Sequence, residues 1–251
     1  MVNVTDKLAV VSGGARDIGR AISLQLAKCG ASVAFCYRDS TEQAKETLEC
    51  LSQIGVKALA VQADLTQRSD TEAFIAKVQS TMQQPIDILV NNAGGMCGRK
   101  KIEEMEEEFW DLVIDLNLKS TFLLTKAALP YMSDGGAIVN VSSQAGRDGG
   151  GPGAVAYATA KGAIMSFTRG LAKELGPRSI RVNAICPGMT KTKLQDTFTK
   201  QEVRERVAAM TPLGRQADAS EIGTLVAYLA SSGASYVNGA SVDINGGFCF
   251  S

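Results

Sequence analysis

The stretch "VVSGGARDIGRA", residues Val10–Ala21, decides how the rest of the chain is read. Its apolar run ends in two glycines, and a segment of helical period follows. That order describes a strand, a tight turn and the start of a helix. Gly13 and Gly14 can take backbone angles closed to other residues, and Gly19 allows the helix to approach the strand or a ligand closely. The first amides of such a helix have no partners within it, so they form a site for phosphate oxygens. A carboxylate, Asp17, stands in this anion site. Its place at the helix boundary predicts an N-cap, in which the side chain accepts bonds from amides one turn in and contributes about 1 kcal/mol. On that reading the acid stabilises the helix start and leaves the other amides free for a diphosphate.

Working outward, valine- and isoleucine-rich runs recur as "LAVVS", "SVAFCY", "KALAVQ", "IDILVNN", "AIVNVSS", "IRVNAIC" and "ASVDI". Amphipathic segments separate most of them, among them Arg20 to Cys29, Glu42 to Ile54 and Asp70 to Met82. Strands that are apolar throughout are buried on both sides, and parallel neighbours need helical crossovers. The alternation therefore predicts an α/β protein: one doubly wound domain over residues 1–251, a seven-stranded parallel sheet with helices on both faces. Ligands of such sheets bind beyond the carboxyl ends of the strands, where strand order reverses.

With 251 residues, 45% of them hydrophobic, the chain can bury roughly 70–75% of its unfolded surface. Lysine plus arginine number 26, as do aspartate plus glutamate. No basic run interleaves with aromatics, so nucleic acid is not an expected partner. No window approaches the ~20 apolar residues of a membrane span, and a cytoplasmic protein is expected. There is no histidine, and the six cysteines contain no C-x-x-C pair. No metal site is expected, and the cysteines read as reduced apolar residues.

The segment "YATAK" places Tyr157 and Lys161 at i and i+4, one turn apart on one helix face. A phenol ordinarily titrates near 10, and a neighbouring ammonium is expected to lower that by roughly 1–3 units, giving a tuned general acid–base.

The order and spacing of "ADLT" (Ala63 to Thr66), "NNAG" (Asn91 to Gly94), "LNLKS" (Leu116 to Ser120), "VNVSS" (Val139 to Ser143), "YATAK" and "CPGMTKT" (Cys186 to Thr192) resemble the short-chain dehydrogenase/reductase family. The likeness is close to its 3-oxoacyl-(acyl-carrier-protein) reductase and glucose dehydrogenase branch. It covers nearly the whole chain and implies a Rossmann-type fold and an NAD(P)-dependent oxidoreductase. The family's T-G-x-x-x-G-x-G is answered by Ser12, Gly13, Asp17 and Gly19, so two of four positions differ. In the family a tyrosine gives its proton to the carbonyl as hydride arrives, and a lysine holds the nicotinamide ribose. A serine bonds the same oxygen, and a helix asparagine sustains a proton relay. The matching residues are Tyr157, Lys161, Ser143 and Asn117. Ser143 is preferred to Ser142 because Ser143-Gln144-Ala145-Gly146 fits the family's Ser-x-x-Gly.

The resemblance also assigns cofactor contacts to Ser12, Gly13, Gly14, Arg16, Asp17, Ile18 and Gly19 in the first turn. Asp64 and Leu65 match adenine contacts, Asn91, Ala93 and Gly94 the nicotinamide wall, and Pro187, Gly188, Thr190 and Thr192 the carboxamide loop. NAD enzymes place an acid at the end of the second strand, whereas arginine suits the 2′-phosphate of NADP. Tyr37 stands there, followed by Arg38, and Arg16 is a second guanidinium. NADP(H) is the expected cofactor; Asp39 keeps NAD(H) open.

Substrate choice falls to loops, one of them about residues 189–210. Arg99, Lys100, Lys101 and Arg147 would favour an anionic substrate if they turned inward. Carrier-dependent reductases present basic residues before the serine strand; Ser133 and Asp134 stand there, although Arg178 is basic. A small polar carbonyl, such as a keto sugar or a sugar-derived keto or aldehydo acid, is the expected substrate. A carrier-bound 3-oxoacyl chain is the alternative, and a non-catalytic cofactor-binding protein a third reading. The family also implies a homotetramer, joined through about Met105 to Tyr131, Ala154 to Leu175, and Ser241 to Ile244 with the tail ending in Phe248 and Phe250.

Overall fold

In the computed structural model, which describes residues 2–193 and 199–250, all five residues of β1 (Leu8–Ser12) are buried. Positions 194–198 of the expected substrate loop lie outside the described residues. The apolar runs form β2 (Ser32–Tyr37), β3 (Ala58–Gln62), β4 (Ile86–Asn91), β5 (Met132–Val141), β6 (Arg181–Pro187) and β7 (Ser241–Ile244). They make one sheet in the order β3-β2-β1-β4-β5-β6-β7, with every neighbouring pair parallel. The direction of winding reverses between β1 and β4, so a crevice opens at their carboxyl ends.

One face of the sheet packs against α1 (Asp17–Lys28), α2 (Thr41–Ile54) and the helix Ala219–Ala230 through Ile22, Leu26, Leu51, Ile222 and Val226. The other packs against α3 (Arg68–Met82), α5 (Ser120–Ala128) and, after the short α6 (Ala145–Asp148), α7 (Val155–Leu175) through Phe74, Ile75, Leu124 and Leu171. Burial on both faces explains why the strands are continuous apolar runs. No helix among the described residues is long and apolar enough to cross a membrane.

Two local departures bear on the site. β5 starts at Met132, five residues before the apolar run, and its pairing slips between Ile86 and Ile88. Gly135, at a φ of 78°, and Gly136, whose added Cβ would lie 2.9 Å from the Asp87 carbonyl, permit the slip. The helical segment expected from Met105 to Tyr131 is not uniform. It comprises α4 (Glu107–Ile114), a wider π turn over Asp115–Lys119, and α5. Asn117 sits in that turn, and such bulges often mark functional sites.

Candidate active site

The carboxyl ends of β1, β2, β4, β5 and β6 open into a cleft of about 460 Å³. Its first wall is the glycine turn. Gly13 has a φ of 65°, and a Cβ on Gly19 would run into the Gly13 carbonyl oxygen and come within 2.6 Å of the Asn92 amide. Backbone therefore lines this end, as close approach of a dinucleotide requires. Gly14 has a different reason to be glycine: its N–H donates to the Cys36 carbonyl at 3.1 Å, and a Cβ would strike Phe35. It packs turn against strand and does not face the cleft.

Asp17 does not cap α1. The N-cap is Arg16, without a side-chain cap bond, and Asp17 occupies the first helical position with a φ of 50°. Its Oδ1 accepts instead from the Lys193 N–H at 3.0 Å, and its Oδ2 lies 3.5 Å from Arg16 Nη1. A carboxylate inside the first turn with a left-handed backbone points away from the amides that a cap would serve. The expected capping role is corrected accordingly.

Arg16, Asp17, Ile18, Tyr37 and Arg38 line one end of the cleft, with Asp64 and Leu65 beside them. Arg38 holds Asp39 through Nε at 2.7 Å, and that bond raises its already high pKa. Ala93 and Gly94 form the middle wall; Ser143, Tyr157, Lys161, Pro187, Gly188, Thr190 and Thr192 form the far end.

Three other predicted residues stand behind the wall. Ser12 donates its hydroxyl to the Val90 carbonyl at 3.3 Å and accepts N–H bonds from Asn92 and Ala93, each at 2.9 Å, joining the ends of β1 and β4. Buried Asn91 donates to Thr125 Oγ1 at 2.9 Å and to Asn140 Oδ1 at 2.8 Å. Asn117 is fully buried, donating to the Gly95 and Val113 carbonyls at 2.8 and 2.9 Å while accepting from the Gly95 N–H at 3.0 Å. Its carboxamide fixes the Gly94–Gly95 backbone rather than facing the cleft. A Cβ on Gly94 would fall 2.6 Å from Asn117 Oδ1 and 3.0 Å from Lys161 Nζ, so this crowding requires glycine.

The helix α7 delivers Tyr157 and Lys161 to the same end. Lys161 is 3% exposed and donates from Nζ to the Val141 carbonyl at 2.9 Å. Nζ lies 5.7 Å from the centre of the Tyr157 ring. Burial lowers the lysine from 10.5 to about 8. Burial also raises the Tyr157 phenol, against which the Ser143 hydroxyl acts as a lowering hydrogen-bond partner. The expected depression of the phenol by an adjacent ammonium is therefore corrected, because desolvation dominates both groups in the protein alone. Ser142 donates to the Lys161 carbonyl at 2.7 Å, which ties β5 to α7 and leaves Ser143 as the serine beside the phenol.

The basic loop residues do not line the cleft. Arg147 turns to β7, with Nε 3.1 Å from Asp243 Oδ1 and Nη2 2.7 Å from the Ser241 carbonyl. Arg99 bonds the Pro152 carbonyl at 3.1 Å, Lys100 lies over the Phe109 ring at 5.2 Å, and Lys101 pairs with Glu103 at 3.9 Å. Sequence reasoning missed other lining residues, notably Cys97 and Ser120. Cys97 lies three residues past "NNAG" and Ser120 closes the "LNLKS" motif, so both stand beside signals the sequence carries.

A doubly wound sheet with a glycine cradle at its switch point and a Ser-Tyr-Lys group opposite defines a dinucleotide-binding oxidoreductase. The family model described as enoyl-(acyl carrier protein) reductase matches residues 13–249. The chain is 38% identical over 243 residues to the 3-oxoacyl-(acyl-carrier-protein) reductase FabG of Staphylococcus aureus, covering 96% of this chain and 97% of that one. It is 38% identical over 250 residues to the (3R)-3-hydroxyacyl-CoA dehydrogenase of Mus musculus, covering 96% and 95%. Among solved structures, a short-chain dehydrogenase/reductase of Serratia marcescens aligns with a TM-score of 0.92 at 36% identity, covering 97% of this chain and 98% of that one. A metagenomic blue fluorescent protein in complex with NADPH aligns with a TM-score of 0.92 at 33% identity, covering 99% and 100%. The chain belongs to the short-chain dehydrogenase/reductase family, in the branch of the 3-oxoacyl-(acyl-carrier-protein) reductases. It is an NAD(P)-dependent oxidoreductase. The turn at Gly13 and Gly19 lines the cleft with backbone, since Gly19 packs on the Gly13 carbonyl with no room for a side chain, and it fits a dinucleotide.

Proposed function

We propose that this chain, acting as one domain, is an NADPH-dependent carbonyl reductase for a small polar ketone or aldehyde of the keto-sugar or keto/aldehydo-acid kind. The observation that carries the reading is a phenol kept protonated by burial, beside Ser143 and Lys161, at one end of a cleft whose other end carries two guanidiniums. When bound, the dihydronicotinamide supplies the hydride for reduction. Ser143 orients the carbonyl oxygen by hydrogen bonding, and Tyr157 Oη delivers the proton to that oxygen. Lys161 would hold the nicotinamide ribose, while Asn117 fixes the Gly94–Gly95 backbone. Gly13, Ile18 and Gly19 would receive the diphosphate, Asp64 and Leu65 the adenine, and Thr190 and Thr192 the carboxamide.

Arg16 and Arg38, with Tyr37 where an acid would select NAD, support NADP(H). A Burkholderia cenocepacia short-chain dehydrogenase solved with NADP, 30% identical with a TM-score of 0.92, adds weight to this. Arg38→Ala is expected to weaken NADPH by about 10–100-fold, the size of a lost charge-assisted bond, and NADH by less than about twofold. Equal losses for both nucleotides in a fluorescence titration would show that no 2′-phosphate is read there.

Because burial holds the phenol protonated, carbonyl reduction should be level across neutral pH, and alcohol oxidation should climb as pH rises toward ionisation of the phenol. An oxidation rate that fell with rising pH would contradict Tyr157 as the proton carrier.

Two observations support the small polar substrate over a carrier-bound one. None of Arg99, Lys100, Lys101 and Arg147 lines the cleft, and Arg178 is engaged, holding Asp134 at 2.8 Å and the Met132 carbonyl at 2.7 Å. The 38% likeness to the Staphylococcus aureus reductase favours 3-oxoacyl thioesters as the second reading. Initial rates with keto sugars, sugar acids and 3-oxoacyl thioesters separate the two: the first reading requires kcat/KM to be highest for a sugar-derived carbonyl. A non-catalytic role is disfavoured by the presence of both Tyr157 and Lys161 in one cleft.

We also propose a homotetramer assembled through α4, α5, α7, β7 and the C-terminal tail. Exposed Leu112, Phe122, Val155 and Phe250 lie on those elements, where a neighbouring copy would cover them.

A further inference from the structure

Asp17 keeps a side chain where the backbone favours none. Its φ of 50° lies in the left-handed region, which disfavours residues with a Cβ, aspartate and asparagine less than most. Such strain persists where something else uses it. Here the use is visible: Asp17 Oδ1 accepts the Lys193 N–H at 3.0 Å, across 176 residues of sequence.

Lys193 ends a strap that begins at Gly188 and contributes Gly188, Thr190 and Thr192 to the cleft wall. The near end of the strap is fixed to the body of the protein. The Gly188 N–H donates to the Ile244 carbonyl, the Ala217 N–H to the Met189 carbonyl and the Lys191 N–H to the Ala217 carbonyl, each at 3.0 Å. The far end meets the dinucleotide turn at Asp17. The two fixings hold Thr190 and Thr192 in place between β7 and α1.

We propose that Asp17 is a positioning residue, a pin that fastens the far end of this strap to the dinucleotide turn and thereby slows release of the bound nucleotide. The effect on release rests on the cofactor reading given above; the pin itself does not. The bond requires an acceptor oxygen, not a charge. Asparagine keeps Oδ1 and tolerates a left-handed backbone, whereas glycine removes the acceptor and suits the backbone better.

Hydrogen exchange at the Lys193 amide, measured on the nucleotide-free protein, reads the pin directly. Asp17→Gly should speed that exchange roughly tenfold or more, the size of a lost bond to a charged group, and Asp17→Asn should keep it within about threefold of wild type. NADPH dissociation, followed by nicotinamide fluorescence, should accelerate several-fold in Asp17→Gly and stay near wild type in Asp17→Asn. Unchanged Lys193 exchange in Asp17→Gly would overturn the proposal. So would tighter NADPH binding in both variants, because the carboxylate would then be acting by repelling the diphosphate. Wild-type protein that bound neither nucleotide would sink the cofactor reading, and exchange at Lys193 would still decide the pin.

Discussion

Tyr157→Phe is expected to reduce carbonyl turnover by about 10²–10⁴-fold, the usual contribution of a positioned general acid, while leaving the fold and nucleotide affinity intact. The ring packs at the cleft end beneath the Lys161 ammonium, and phenylalanine preserves that packing and removes only the oxygen. Loss of the phenol leaves Ser143 to orient the carbonyl without a proton to give. The variant should therefore still enhance the fluorescence of bound NADPH. Turnover within a factor of about three of wild type would remove Tyr157 from the chemistry, since a positioned general acid typically contributes about 10²-fold or more.

Lys161→Met should separate stability from activity in the opposite sense. The lysine is almost fully buried and is lowered to about 8 from its ordinary 10.5. Its folded value lies below its unfolded one, so the folded state disfavours the charged form. Below about 8 both states hold the proton and the cost of burying the ammonium is felt in full; between about 8 and 10.5 the unfolded state binds more protons, and stability rises with pH. That gap corresponds to roughly 3 kcal/mol, from which the lost charge-assisted bond to the Val141 carbonyl subtracts about 2 kcal/mol. Methionine should thus raise stability at neutral pH by about 1 kcal/mol, an advantage that shrinks toward pH 10.5. It should also weaken the nucleotide and abolish most turnover. Denaturant midpoints of both proteins at neutral and alkaline pH check this; a variant less stable than wild type at neutral pH would show that the ammonium is favourably paired.

Much of this arrangement was legible in the residues. The runs "LAVVS" and "SVAFCY" coincide with β1 and β2, because strands buried on both faces write themselves as unbroken apolar segments. The i, i+4 spacing of Tyr157 and Lys161 put both on one helix face, and the cleft contains both. What was not legible depended on tertiary surroundings. Asp17 looked like a cap from its neighbours in sequence, yet its backbone sign and its partner, Lys193, are set by a segment 176 residues away. The phenol's direction of shift is not legible in the sequence, because spacing reveals a neighbouring charge but not the crowding around both groups. Whether Arg147 turns inward is not legible in the sequence, because its partner, Asp243 on β7, is 96 residues away. The π turn at Asp115–Lys119 left no periodic signature, since one inserted residue barely disturbs a helical pattern.

The central claim, hydride transfer from NADPH to a carbonyl with Tyr157 as proton donor, is tested most directly by isotope transfer. NADPH deuterated at its transferable position is incubated with the protein and the best carbonyl of the substrate panel, and the alcohol is analysed by mass spectrometry. The account predicts one deuterium on the carbinol carbon with wild type, formed at least about 100-fold more slowly with Tyr157→Phe. Bound NADPH that yields no labelled alcohol from any carbonyl in the panel would contradict it.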